Sequence, residues 1–309
     1  MMEQKRRNGR NKTHGKRYSG RRNHGKWRGG LLGMAVAGAV LLIGGSVFLA
    51  IETEKRIEAR TKQAKKAERL VVTAEDIKAP VVPDRSDFAV KPGRTVGTTE
   101  QSAEKTVYLT LDDGPSNLTA QVLEILDQYN VKATFFVTNA MPEYRHMIKE
   151  AYDRGHTIGL HTYSHDYASI YSSTQAYMQD LEKIGQVVKE QIGYVPSFIR
   201  FPGGASNTIS ANYCTGIMSA VSGQVLAQGY QYYDWNCSSG DGSVRNADEL
   251  TAQATSCAEN NIILLSHDSA AKATTVEALP RIIAHYQSQG YVFKAIDTTS
   301  YVVHHGIGN

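Results

Sequence analysis

From Lys105 onward, short apolar runs alternate with longer amphipathic stretches, and this alternation constrains the fold more than any other feature of the chain. The runs are "TVYLTL" (106–111), "KATFFV" (132–137), "HTIGL" (156–160), "SFIR" (197–200), "YQYYDW" (230–235), "IILLS" (262–266) and "YVFKAI" (291–296). β-branched and aromatic residues enrich them, as strands require. Helical stretches fall at 118–129, 142–154, 174–190, 215–228, 247–259 and 275–288. Strands separated by helices pair in parallel through right-handed crossovers. Seven strands over roughly 200 residues suit an α/β fold, a distorted (β/α)7 barrel. A doubly wound open sheet is the other arrangement to weigh.

What precedes Lys105 is of a different kind. Residues 1–104 hold 22 Lys/Arg against 11 Asp/Glu, whereas residues 105–309 hold 12 against 19. A basic N-terminal tail suits a nucleic-acid arm or a cytoplasmic membrane flank. The 23 uncharged residues 29–51, "GGLLGMAVAGAVLLIGGSVFLAI", favour the second, since they can span a bilayer as a helix. Basic residues in 1–28 place that end in the cytoplasm. A cleaved signal peptide is the alternative, but the apolar run continues through Val47, Phe48 and Leu49 with a poor cleavage pattern. The expected order is a basic tail (1–28), a transmembrane helix (29–51), a charged stalk and Pro-containing linker (52–104) and a catalytic domain (105–309) outside the cell. Extended, residues 71–104 would reach about 110 Å.

In a parallel β/α architecture, strand C-termini and their loops form the site. The first strand ends in Asp112-Asp113, the third in "HTYSH" with His161 and His165, and the fourth in "RFPGG" from Arg200. The fifth runs into "DWNCSSGD", Asp234 to Asp241, and the sixth ends in "LSHD" with His267. Two histidines and one carboxylate make a common catalytic Zn²⁺ set with open positions for water and substrate. Asp-Asp-Gly-Pro taken alone is also good turn chemistry.

The ordered set "LTLDDGP", "HTYSH", "RFPGG", "WNCSSGD" and "LSH" resembles the polysaccharide deacetylases of the NodB-homology type, carbohydrate esterase family 4, over about residues 105–303. The resemblance implies a distorted barrel and a metal-dependent hydrolase of N-acetyl groups. It implies that Asp113, His161 and His165 bind one divalent ion, with Zn²⁺ foremost and Co²⁺, Mn²⁺ or Ni²⁺ as alternatives. Asp112 matches the general base, Arg200 the residue that holds it, His267 the general acid and Asp241 its partner. Leu265 would line the acetyl-methyl pocket, and a backbone N–H near Gly203 would complete the oxyanion site. Asp234 competes with Asp241 for the fourth motif, and the six-residue spacing from Trp235 favours Asp241. Gly242 stands where the family often has Trp, and Leu111 where Phe is usual. An aromatic wall for the sugar is then missing or supplied by Tyr163, Tyr167 or Trp235.

Adjacent carboxylates repel, so both need cations. A metal on Asp113 and the guanidinium of Arg200 would each favour ionised Asp112. The substrate this implies is an extracellular N-acetylated glycan polymer, with peptidoglycan foremost and chitin oligomers or an exopolysaccharide as alternatives. A non-catalytic glycan-binding module would not need Asp112, Asp113, His161, His165 and His267 together. Nucleic acid is not an expected partner of an acidic barrel, and the catalytic domain is expected to be a monomer. His156 begins a strand at the rim away from the site, Asp166 and Asp268 are expected to cap local turns, and His304 and His305 to be tail features. Of the three cysteines, topology pairs Cys214 with Cys237 and leaves Cys257 at the opposite rim, with three free thiols as the alternative.

Overall fold

The computed structural model describes residues 51–62 and 85–309. The chain divides into two units, Met1–Lys78 and Ala79–Asn309. Within the first, residues 51–62 are helical and exposed throughout. Among the described residues no helix is long and apolar enough to cross a membrane. The segment 29–51 expected to do so lies outside them except for Ile51, as does the basic tail 1–28.

The second unit alternates strands and helices as the sequence predicts. Its first half runs β1 (Thr106–Asp112), α1 (Thr119–Gln128), β2 (Thr134–Val137), α2 (His146–Asp153), β3 (Thr157–Leu160), α3 (Tyr167–Ile170) and α4 (Thr174–Ile192). Then come β4 (Phe198–Ile199), α5 (Ile217–Ala227), β5 (Gln231–Tyr232) and β6 (Cys237–Ser238). The chain ends with α6 (Ala247–Ala254), β7 (Asn261–His267), α7 (Ala273–Ser288) and β8 (Val292–Phe293). All strand pairs are parallel, in the order β5-β4-β3-β2-β1-β7-β6. β7 covers one edge of β1 from Thr106 to Asp112, and β2 and β8 share the other. The sheet is curled but incompletely closed, because β5 and β6 do not pair among the described residues. Near that gap the C-terminal segment bonds to the end of β5, with Asp234 N donating to Val303 O at 2.9 Å.

Period-2 alternation sorts β1 into two faces. Val107, Leu109 and Leu111 join the core beneath the helices, whereas Tyr108 points into the curled sheet. There Tyr108 packs with Phe136, Phe198, Tyr233, Ile263 and Ile296 into a plug. Gly159 on β3 makes room for it: a Cβ there would lie 2.5 Å from the Phe136 ring. One end of the interior is therefore filled, and the strand C-termini open at the other.

Three features differ from the sequence reading. Residues 85–104, expected as linker, already belong to the barrel. Phe88 packs edge-on to Phe198 at 5.2 Å, Val90 N donates to Val195 O, and Gly97 N donates to Thr298 O. Two short elements, α3 and β6, were not expected, because "DYASIY" and "NCSS" carry no clear period. The expected Cys214–Cys237 bridge is replaced by Cys237–Cys257, with Cα atoms 6.0 Å apart and Cys214 free. Cys237 lies not at the rim but within β6, opposite Leu264 in the middle of β7. α6 stops at Ala254, so Cys257 lies on the return path to β7 rather than at a helix end on the far rim. The bridge therefore pins the α6–β7 connection.

Candidate active site

Asp112 closes β1 with its side chain inside the sheet, beside Arg200 at the end of β4. Arg200 is fully buried, so its charge must be matched internally. Nη1 donates to Asp112 Oδ1 at 2.8 Å and to Thr110 Oγ1 at 2.7 Å, while Nε donates to Tyr233 O at 2.7 Å. The guanidinium lies 4.4 Å over the Phe136 ring, on top of the aromatic plug. These bonds hold Asp112 by one oxygen and leave Oδ2 facing the histidines, 3.8 Å from His161 Nε2. Burial raises the Asp112 pKa, and the Arg200 charge opposes that rise.

The turn after β1 swings Asp113 to the rim, with φ at +71°, and Thr138 Oγ1 donates to its carbonyl. The loop after β3 brings His161 and His165 to the same point through positive φ at Thr162 (+88°) and His165 (+52°). His161 Nδ1–H donates to Arg200 O at 2.8 Å, which turns Nε2 inward as a lone pair. Burial lowers the His161 pKa to about 3, so the imidazole is neutral as a ligand must be. Asp113 Oδ1 is buried without a hydrogen-bond partner among the described residues, 3.5 Å from His161 Nε2 and 3.3 Å from His165 Nε2. A tetrahedral ion with bonds near ~2.1 Å sets neighbouring donors about 3.4 Å apart. The orphaned oxygen and these separations fit a divalent metal held by Asp113, His161 and His165.

Across the rim, His267 ends β7 opposite Asp112. Its Nδ1–H donates to Asp241 Oδ1 at 2.8 Å, and its backbone N–H to Oδ2 at 2.8 Å. Thr275 Oγ1 also donates to Oδ2 at 2.8 Å, and Lys272 Nζ to the Asp241 carbonyl. Burial alone would lower the His267 pKa, but the hydrogen bond and charge of Asp241 outweigh it and carry it to about 9. Asp241 is correspondingly held below its ordinary value, burial being overcome by His267. A proton donor and a proton acceptor thus face each other beside the three candidate ligands.

The chain is similar to known proteins. Residues 99–215 match the family model described as polysaccharide deacetylase. A Bacillus subtilis protein assigned to the polysaccharide deacetylases, YheN, is 31% identical over 230 residues, 72% of this chain and 76% of its own length. The chain belongs to the polysaccharide deacetylase family. As such it is a hydrolase of N-acetyl amide bonds, from a family whose members depend on metal. The catalytic domain of a peptidoglycan N-acetylglucosamine deacetylase from Eubacterium rectale is 44% identical with a TM-score of 0.66, covering 68% of this chain and 97% of that one. A Listeria monocytogenes peptidoglycan-N-acetylglucosamine deacetylase is 33% identical over 62% of this chain but only 38% of its own length.

The remaining residues singled out in the sequence take varied places in this deacetylase. Gly203 is exposed, with φ at +78°, three residues beyond the carbonyl that holds His161. Leu265 lies on β7 two residues before His267, on the same inner face. Trp235 stands 5.7 Å from the Arg200 guanidinium, its ring edge 3.0 Å from a Cβ built on Gly204. Tyr163 is half-buried and leans on the core beneath the helices. Asp234 is the structural carboxylate of the fourth motif: it is buried and accepts from Ala205 N at 2.9 Å and His305 N at 2.7 Å. His304 stacks on Tyr232 at 3.8 Å, and neither it nor His305 joins the metal cluster.

Asp166 caps α3 as expected, and His156 is buried at the start of β3, accepting from Ala133 N. Asp268 does more than cap a local turn. It is buried, accepts from Thr119 Oγ1 at 2.7 Å, and its N–H donates to Asp112 O, so it ties the end of β7 to that of β1. Sequence reading missed Thr110, which receives Arg200 and donates to Leu264 O. Its signal was parity, since it lies two residues before Asp112 on the same face of β1. Lys272 and Thr275, which hold Asp241, had no such signal.

Proposed function

We propose that this protein is a metal-dependent N-deacetylase of peptidoglycan, anchored in the cell membrane through residues 29–51 with its catalytic domain outside. The observation that carries the reading is the opposition of Asp112, held by Arg200, to His267, held by Asp241, across the Asp113–His161–His165 cluster. The Eubacterium rectale and Listeria monocytogenes relatives are peptidoglycan N-acetylglucosamine deacetylases, which supports that glycan as the substrate. The basic tail and apolar segment support the membrane placement, and the mixed histidine and carboxylate donors suit Zn²⁺.

An ion held by Asp113, His161 and His165 supplies Lewis-acid polarisation of the acetyl carbonyl and acidifies water. The residues supply the rest. Asp112 Oδ2 accepts a proton from water as its oxygen bonds to the carbonyl carbon. Arg200 fixes the orientation of Asp112 and favours its charged form. The Gly203 N–H would donate to the oxygen that becomes negative. His267 donates its Nε2 proton to the sugar nitrogen as the C–N bond breaks, and Asp241 keeps it protonated until then. Acetate and a free amine result. Leu265 covers the methyl group and Trp235 borders the sugar.

The test is mass spectrometry of wall fragments, chitin oligomers and exopolysaccharide after incubation with the Zn²⁺-loaded protein. Loss of an acetyl mass from wall fragments first and fastest is expected. Preference for another glycan would replace the substrate, and no loss from any would end the reading. Protease added to intact cells should remove the catalytic domain and spare an N-terminal tag. Full protection of the domain would reverse the topology.

A further inference from the structure

Two hydrogen-bond donors stand side by side on the outer wall of the metal cluster, and neither has a partner among the described residues. One is the Gly203 N–H and the other the Tyr167 hydroxyl. A Cβ built on Gly203 would lie 2.7 Å from the Tyr167 oxygen, so the hydroxyl occupies the space a side chain at 203 would fill. Gly203 is exposed and Tyr167 half-buried, so both reach solvent at the mouth of the site.

The ring that carries the hydroxyl lies between two aromatic neighbours in contact with it. The Tyr167 ring packs 5.7 Å from the ring of His165, a candidate metal ligand. It also packs against the buried Tyr171 ring, edge-on at 5.3 Å. Tyr171 donates its own hydroxyl to Pro202 O at 2.7 Å, the residue just before Gly203. The cap on α3, Asp166 accepting from Ala168 N, fixes the backbone that carries both tyrosines. The Tyr171–Pro202 bond thus ties the HTYSH loop to the RFPGG loop, and the Gly203 N–H and the Tyr167 hydroxyl are neighbours on the joined pair.

We propose that the Tyr167 hydroxyl is a catalytic residue, donating with the Gly203 N–H to the acetyl oxygen as negative charge builds on it. The assignment rests on the deacetylase reading above. The hydroxyl keeps its proton throughout, and no bond to it forms or breaks. Donors fixed before the reaction need no reorganisation when charge develops, which is what makes such a pair effective. Glycine at 203 is then required twice, for the positive φ and for the room the hydroxyl takes.

The experiment measures steady-state kinetics of the full-length, Zn²⁺-loaded chain on an N-acetylglucosamine oligomer. Tyr167→Phe removes the donor and keeps the ring. It should lower kcat roughly 10²-fold, the scale of losing one oxyanion donor, with KM within about twofold. Bound zinc and melting temperature should not change. Gly203→Ala displaces the hydroxyl, so it should cost much less in the Tyr167→Phe background than alone. Unchanged kcat in Tyr167→Phe, a rise in KM alone, or additive effects of the two changes would each overturn the assignment. Unchanged Tyr167→Phe beside an impaired Tyr167→Ala would also overturn it, because the ring alone would then matter. If the loaded wild-type chain deacetylates no glycan, the deacetylase reading falls and this assignment falls with it.

Discussion

The two halves of the curled sheet's interior are built on the same strands and by the same alternation, yet one is a packed plug and the other an active centre. On β1 the inward residues run Tyr108, Thr110, Asp112; on β7 they run Ile263, Leu265, His267. In the lower half, Tyr108 and Ile263 meet Phe136, Phe198 and Tyr233 and exclude water. In the upper half, Asp112 and His267 face the metal cluster. Arg200 is the boundary: its underside rests on Phe136 and its edge binds Thr110 and Asp112. The lower half turns free energy of burial into rigidity. The upper half holds buried charge, which is costly unless every group is matched. The comparison predicts that changes above should damage chemistry and spare the fold, and that changes below should do the reverse.

The largest effect is expected above. Asp112→Asn keeps the size of the side chain and leaves all three candidate ligands in place. Removing the general base should lower the rate about 10²- to 10⁴-fold, with bound metal unchanged by elemental analysis. Near-normal turnover would break the assignment of Asp112 as base.

Below, Phe198→Ala should act in the opposite sense. Phe198 is fully buried and touches Phe88 and Tyr233 edge-on. The cavity should cost about 3–5 kcal/mol of stability, seen as a drop in melting temperature of roughly 10 °C. Metal content below the transition should be retained. Loss of metal with little change in melting would show that the two halves are not separable in this way.

How far this division was legible in the sequence follows from its physics. The long strands were readable because their residues are apolar and β-branched: 106–111 was expected for Thr106–Asp112, and 262–266 for Asn261–His267. Candidate site residues were readable because they end such strands, and the fold brings Asp112, Asp113, His161, His165, Arg200 and His267 together. β6 was not readable. Two residues in "NCSSGD" have no period, and they are a strand only because β7 offers them an edge. The disulfide error came from that miss together with the overrun of helix 247–259. Nothing in "QATSCAEN" signals a stop, since it holds neither Gly nor Pro. The helix ends where Thr255 bonds back to Thr251 O. The brace between Tyr171 and Pro202 joins positions 31 residues apart and leaves no local trace.

A smaller effect is expected from Asp241→Asn, which leaves the fold of the upper half and changes its charge. If His267 is the acid as proposed, activity should fall as pH rises through about 9, a value that Asp241 does most to raise. Without that carboxylate the largest raising influence is lost while burial still lowers the pKa, so the basic limb should move to lower pH. The rate near pH 8 should drop about 10- to 100-fold, at the low end of acid–base contributions. Stability follows the same sign. His267 holds its proton more tightly folded than unfolded, so the pair stabilises fully below pH 6.5 and loses that effect as pH rises through about 9. A basic limb unmoved in Asp241→Asn would mean that another group is the acid.

The smallest effect should come from a polar atom left stranded in the plug, and it sharpens the comparison most. Tyr233 is fully buried, and its hydroxyl has no hydrogen-bond partner among the described residues. Its ring packs against Phe136 and Phe198, so the aromatic body fills space as a phenylalanine would. A buried donor without a partner loses its bonds to water and gains none, at a cost of about 1–3 kcal/mol. Burial likewise pushes its pKa far above the tyrosine range, so the group stays neutral. Tyr233→Phe removes the stranded atom and little else, and the small space it leaves adjoins Gly97. Melting temperature should stay level or rise by a few degrees, with kcat and bound metal unchanged. A clear loss of stability would show that the hydroxyl has a partner, such as a buried water, and that the lower half carries polar structure of its own. A loss of activity without loss of stability would show that the plug reaches the chemistry through Arg200, whose Nε is held by the Tyr233 carbonyl.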